Sequence, residues 1–227
     1  MARNNTHFPN GTTFGMHRFG SARGRPVQFS AGICVVSFVP VALDPDGYAL
    51  SQTPGAGGNL TLAGALVTSG VGYADVPRSV SITSAGNDSG RTFTVYGTDE
   101  YGQTMSEAIT GPNTTTAHGA KAFWTVTRIA VDAATAGAIT AGTGDKFGLP
   151  FKLRDVPIPR WAGTLAQDAG TYVAAVTTNP ATTTTGDVRG TYTPSSPSNG
   201  SRRLTLYMMP FDIDSVTRAD WYGVTQA

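Results

Sequence analysis

The chain has 227 residues, of which 40% are hydrophobic, and a formal net charge of +1, so it can form one large β domain or two small ones around a buried core. Only 14% of its residues are charged, against about a quarter in ordinary soluble domains, and Thr, Ser, 28 Gly and 14 Pro take their place. That balance argues against a helical protein and for short strands joined by turns, and so little net charge suits a subunit packed against neighbours better than a free monomer.

The first 26 residues form a segment of their own. They hold Arg3, Arg18, Arg23 and Arg25, with His7 and His17 and no acidic residue. Their large apolar residues, Phe8, Phe14, Met16 and Phe19, follow neither a helical nor a strand period. Such a segment buries too little of itself to fold alone. It carries more apolar surface than a solvated linker needs, so an extended arm that orders on a partner is expected. Fully extended, it would reach about 85 Å. Phe8, Phe14, Met16, Arg18, Phe19, Arg23 and Arg25 are its candidate interface residues, and residues 27–227 are the β-rich body.

Residues 27–41 (VQFSAGICVVSFVPV) are the strongest apolar stretch, either one central strand or two split at Gly32. Cys34 lies inside it, with no His or basic residue nearby in sequence to activate a thiol, and reads as a small buried hydrophobe. Asp44-Pro45-Asp46-Gly47 is a turn, with Pro presetting φ and Gly accepting a positive one. Strands are expected over 60–67, 78–83, 91–96, 103–110 and 122–131, with turns at 87–90 and 98–102. The small-residue stretch after Ala133 predicts a weak strand or a loop. Val156-Pro157-Ile158-Pro159 must be extended, and 171–176, 187–192 and 202–209 complete the strand set, with loops at 179–186 and 193–200. A single short helix is expected over 214–222, capped by Asp214 or Ser215. The spacing is that of an all-β, antiparallel sandwich or jelly-roll/barrel-like domain with an extended N-terminal arm.

Catalytic chemistry finds no foothold in this sequence. The three histidines, His7, His17 and His118, are scattered, none at zinc-pair spacing, and there is one cysteine. His118 falls in a Gly/Thr stretch and reads as a solvated loop residue. Asp44-Pro45-Asp46-Gly47 begins like a calcium loop but lacks the closing glutamate. No Gly-x-Ser-x-Gly elbow or phosphate loop occurs. Two glycosidase carboxylates leave no sequence signature, and the aromatic platforms of carbohydrate-active proteins would have to come from Trp124, Trp161 and Trp221. The expectation is a protein that is not an enzyme and takes no cofactor or metal. Four arginines in the arm make a modest basic footprint, less than dense phosphate contact needs, so nucleic acid is not an expected partner. No apolar run approaches the roughly 18 residues of a membrane span, and the polar N-terminus carries no secretion signal; no membrane association is expected.

Residues 79–111 read SVSITSAGNDSGRTFTVYGTDEYGQTMSEAITG. This resembles a segment of structural proteins of tailed bacteriophages, in which a strand ending in Gly-Thr-Asp leads through a Gly-containing turn into a Ser/Thr-Glu-x-Ile-x-Gly strand. The matching positions here are Gly97-Thr98-Asp99, Gly102 and Ser106 to Gly111; residues 185–192 and 202–209 carry a weaker likeness. Within that group, a chain of this size with an arm and no enzymatic motif is most similar to head decoration (cement) proteins. The resemblance implies a virion protein assembled in the host bacterial cytoplasm. Its implied partners are the major capsid protein or other virion proteins and further copies of itself, with a trimer favoured. The alternatives are a tail, collar or head–tail connector subunit and, from another class, a carbohydrate- or receptor-binding β module.

Overall fold

The structure is a computed structural model and describes residues 17–22, 25–30, 33–178 and 182–209. Within these residues it is all-β, with antiparallel sheets forming a curled half-barrel and no helix. The helix expected over 214–222 lies outside the described residues, as do Phe8, Phe14, Met16 and Arg23.

Sixteen strands divide between two sheets. The smaller contains β1 (His17–Ala22), β2 (Arg25–Ser30), β3 (Ile33–Phe38), β13 (Ile158–Trp161) and β16 (Leu204–Met208), in the order β1-β2-β3-β16-β13. The larger is built on β7 (Val71–Ser84), β8 (Thr92–Thr98), β9 (Thr104–Thr110), β11 (Phe123–Val131), β12 (Ile139–Gly148), β14 (Thr171–Val173) and β15 (Thr191–Thr193). Their order is β14-β15-β12-β7-β11-β8-β9. The short strands β4 (Ala49–Gln52), β5 (Gly58–Asn59), β6 (Val67–Thr68) and β10 (Thr116–His118) pair onto it.

The apolar stretch 27–41 divides into β2 and β3 around residues 31–32, so the two-strand alternative is the one adopted. Alternation then decides which way each strand faces. Cys34, Val36 and Phe38 point inward from β3, and Leu204, Leu206 and Met208 do so from β16. They pack with Trp161, Val76, Phe147, Leu149 and Tyr192 into one core. A second core lies within the curl of the larger sheet around Val80, Ile82, Phe93, Val95, Phe123 and Ile129. The thiol of Cys34 is fully buried.

One expectation for this region needs correction. Residues 60–66 form no strand but an irregular segment whose Leu60 and Leu66 amides bond to Ile129 and Gly47. The small-residue stretch after Ala133 becomes β12, a central strand between β7 and β15. Its glycines are what the packing requires there, since a Cβ on Gly142 would overlap the backbone of Asp44 and Pro45. The expected boundary between arm and body at residue 26 falls inside β2, and residues 17–22 pair with 25–29 in a hairpin.

The chain crosses between the sheets four times, at β3→β4, β12→β13, β13→β14 and β15→β16, and buried polar groups tie these crossings. Arg78 on β7 uses all five guanidinium donors. It donates to the carbonyls of Gly144 (2.8 Å) and Val41 (3.1 Å), the carboxylates of Asp75 (2.9 Å) and Asp145 (2.8 Å), and the hydroxyl of Ser198 (3.2 Å). Val41 belongs to the first crossing and Ser198 to the last. Asp168, in the third, accepts hydrogen bonds from the hydroxyls of Tyr192 and Ser195 and from the Ser195 amide at 3.0 Å.

Arg78→Lys retains the charge but offers three donors from a single point, so at least two acceptors lose their partner. Equilibrium unfolding should show a loss of about 2–4 kcal/mol. Although burial disfavours the Asp168 carboxylate, the hydrogen bonds from Ser195 and Tyr192 hold its pKa below the ordinary 3.8. The stabilisation is therefore present above pH 3.8 and is lost as the pH falls through the lower folded value. Denaturant titrations should show the advantage of the parent chain over Asp168→Asn at pH 6 shrinking below pH 3.8.

Candidate assembly surfaces

The residues of the Gly-Thr-Asp and Ser-Glu hairpin build the β8–β9 turn and lock it to the body. Gly97 lies where β8 meets β11, and a Cβ there would overlap the Thr125 carbonyl. Asp99 accepts the amides of Tyr101 (2.8 Å) and Gln103 (2.9 Å), which closes the turn, and Gly102 supplies its positive φ of 80°. The second carboxylate oxygen of Asp99 accepts a charged hydrogen bond from buried Arg189 at 2.9 Å. Arg189 also lies beside Glu100, at 3.9 Å, and over the Tyr101 ring, at 5.0 Å. Its Nε donates to the Leu149 carbonyl at 3.3 Å, where the second crossing begins.

Glu107 points inward from β9, the edge strand. It accepts the amides of Ala120 and Lys121, and burial raises its pKa above the ordinary value despite those bonds. Lys121 donates to the Thr182 carbonyl at 2.8 Å. The same segment covers part of the β9 edge through the Ala108 amide, which donates to Thr183 at 2.9 Å. An inward charge and a covering loop are devices that stop an edge strand from pairing with another chain.

At one edge of the smaller sheet β1 pairs only with β2 among the described residues; an edge strand of this kind is a template for a further strand. Arg18 and Phe19 belong to β1 and Arg25 opens β2. The structure therefore brings three of the seven expected arm residues onto this edge hairpin.

The outward face of the smaller sheet grades from polar to apolar along its strands. Ser37, Thr205 and Arg160 form one row, with the Ser37 and Thr205 hydroxyls 3.0 Å apart. The next row is Val35, Tyr207 and Ile158, and beyond it Met209 follows Met208, the partner of Cys34, beside Ile33. Five of these and neighbouring side chains stand in solvent: Ile33 (42% exposed), Ile158 (46%), Tyr207 (40%), Met209 (43%) and Val156 (67%). Single exposed apolar residues are unremarkable, but a contiguous group on a strand face marks an interaction site. Sequence reading missed it because these residues belong to β3, β13 and β16, which are far apart in the chain. The alternation within each strand was legible, but its alignment across strands was not.

The remaining sequence candidates sit apart. His118 is exposed, but it ends strand β10, paired with Ser81, and so is not a loop residue. Trp161 is buried beneath the Arg202 guanidinium, 4.6 Å from its ring, Trp124 is half-buried, and Trp221 lies outside the described residues. No three His, Cys, Asp or Glu side chains gather as a metal site among the described residues. No helix of the described residues is long and apolar enough to cross a membrane.

Removing Arg189 leaves Asp99, Glu100 and Asp187 as buried carboxylates without their shared cation. Arg189→Ala should cost about 3–5 kcal/mol in equilibrium unfolding. Hydrogen exchange should show the loss concentrated in the β8–β9 hairpin and the 149–153 segment.

No protein-family model matches the chain, and neither the curated proteins nor the solved structures yield a match.

Proposed function

We propose that the chain is a structural protein of a tailed-phage particle, a head decoration (cement) protein that stiffens the shell through subunit contacts. The observation that carries this reading is the open β1 edge: the arm is the outermost strand of the body's own smaller sheet. A partner strand that adds there gains main-chain hydrogen bonds without a preformed pocket. Ordering residues 1–16 costs on the order of 1.5 kcal/mol each, so the arm is held only where a neighbour buries it. Phe8, Phe14 and Met16 supply apolar surface for that burial, and Arg3, Arg18, Arg23 and Arg25 suit an acidic neighbouring surface. The resemblance of residues 79–111 to phage structural proteins supports the same class. The rigid ion-paired hairpin suits a part whose role is mechanical.

In this reading the protein assembles in the host bacterial cytoplasm and ends in the virion. Its partners there are the major capsid protein and its own copies in a trimer, and it performs no catalysis and holds no cofactor.

Light scattering of the purified full chain should give a mass of three 23.5 kDa subunits. A chain lacking residues 1–26 should run as a monomer and fail to bind phage shells stripped of this protein. Undiminished shell binding by the shortened chain would exclude the arm as the attachment device. Particle imaging that placed the protein in a single ring at the vertex or tail would favour the connector reading.

A further inference from the structure

We propose that residues 210–227 of the same chain fold back over the apolar end of the smaller sheet's outward face, which goes beyond the function proposed above. The register places their departure point inside the patch. Met208 pairs with Cys34, so Met209 lies next to Ile33, one row beyond Tyr207 and Ile158. The Met209 carbonyl accepts the Arg154 amide at 3.2 Å, which holds the exit against the segment leading to Val156. The eighteen residues after Met209 therefore begin on the surface they would cover.

Length, composition and charge agree with this occupant. Eighteen residues reach about 60 Å when extended. The distance from Met209, just past β16, to Ile158 on β13 is about one strand spacing, on the order of 5 Å, plus two residues along the strand. The period of two that sets Tyr207 and Met209 outward continues in sequence at Phe211 and Ile213, and Trp221-Tyr222 adds the largest apolar pair of the segment. Asp212, Asp214 and Asp220 outnumber the one cation, Arg218. The sheet face beside the patch presents the exposed Arg160, 6.0 Å from the Tyr207 ring, and Arg154, ion-paired with Asp155 at 3.0 Å, lies at its rim.

The N-terminal residues leave from the same end of the sheet, because His17, Phe29, Cys34 and Met208 lie in one register row. Residues 1–16 carry Arg3 and no acid, so they match a basic rim poorly. An occupant tethered one residue from its site also has an effective concentration in the millimolar range, which a separate partner must exceed.

Hydrogen exchange on the full chain, free in solution, tests this occupant without reference to phage shells. Amides of 211–222 should exchange at least about tenfold more slowly than in a free peptide of residues 210–227, and the protection should not change with protein concentration. The variant Ile158→Asp/Tyr207→Asp places charges at two already exposed positions and should retain the parent far-ultraviolet spectrum. It should lose most of that protection while β3, β7 and β11 remain protected. Exchange at the free-peptide rate in the parent chain would overturn the proposal. Protection that grows with concentration would overturn it in favour of a second copy as occupant, and protection unaffected by the double variant would place the segment elsewhere.

Discussion

Arg78 occupies the position on which the arrangement of the two sheets depends. Neither sheet is hydrogen-bonded to the other, so their relation rests on one shared core and on the chain segments that cross between them. A planar guanidinium with five fixed donors can hold several acceptors in a single geometry, which an ammonium or a hydrophobe cannot. By spending all five on β7, β12 and two of the crossings, Arg78 removes the freedom of one sheet to slide over the other. Phe147 packs 5.1 Å from the same guanidinium and belongs to the shared core, so the polar clamp and the apolar contact reinforce each other.

The same arrangement recurs at smaller scale. Arg189 secures the second crossing by its bond to Leu149, and Asp168 binds the third crossing to the start of the fourth. Buried ion pairs of this kind contribute little net stability compared with apolar replacements. They do penalise every alternative packing in which a charge loses its partner. In a chain rich in Thr, Ser and Gly, whose strands offer few large side chains to define register, that selectivity keeps the fold unique. It also explains why the β8–β9 hairpin is written in Gly, Asp and Glu: those residues close a turn, admit a neighbouring backbone and anchor the hairpin to Arg189 and Lys121.

Two of the sheet edges differ. The β9 edge carries an inward carboxylate and a loop over part of its length, whereas among the described residues β1 pairs only with β2 and the apolar face of β3, β16 and β13 stands exposed. His17 and Met208 lie in one register row with Phe29 and Cys34, so the described chain begins and ends at the same end of the smaller sheet's strands.

Local patterning in the sequence determined the class of fold, the places of most strands and the turns between β7, β8 and β9, because alternation and turn chemistry act over a few residues. Cys34 was legible as a core residue for the same reason. Tertiary structure alone decided that a run of Ala, Gly and Thr would become central strand β12, since its value lies in letting Asp44 and Pro45 approach closely. It alone decided that residues 17–22 would join the sheet, that 60–66 would not, and that Arg78, Arg189 and Glu107 would be buried. The apolar face was likewise invisible in the chain, for Ile33, Ile158 and Tyr207 become neighbours only through the register of β3, β16 and β13. Pairing between distant strands is a property of the whole packed core, and no window of sequence contains it.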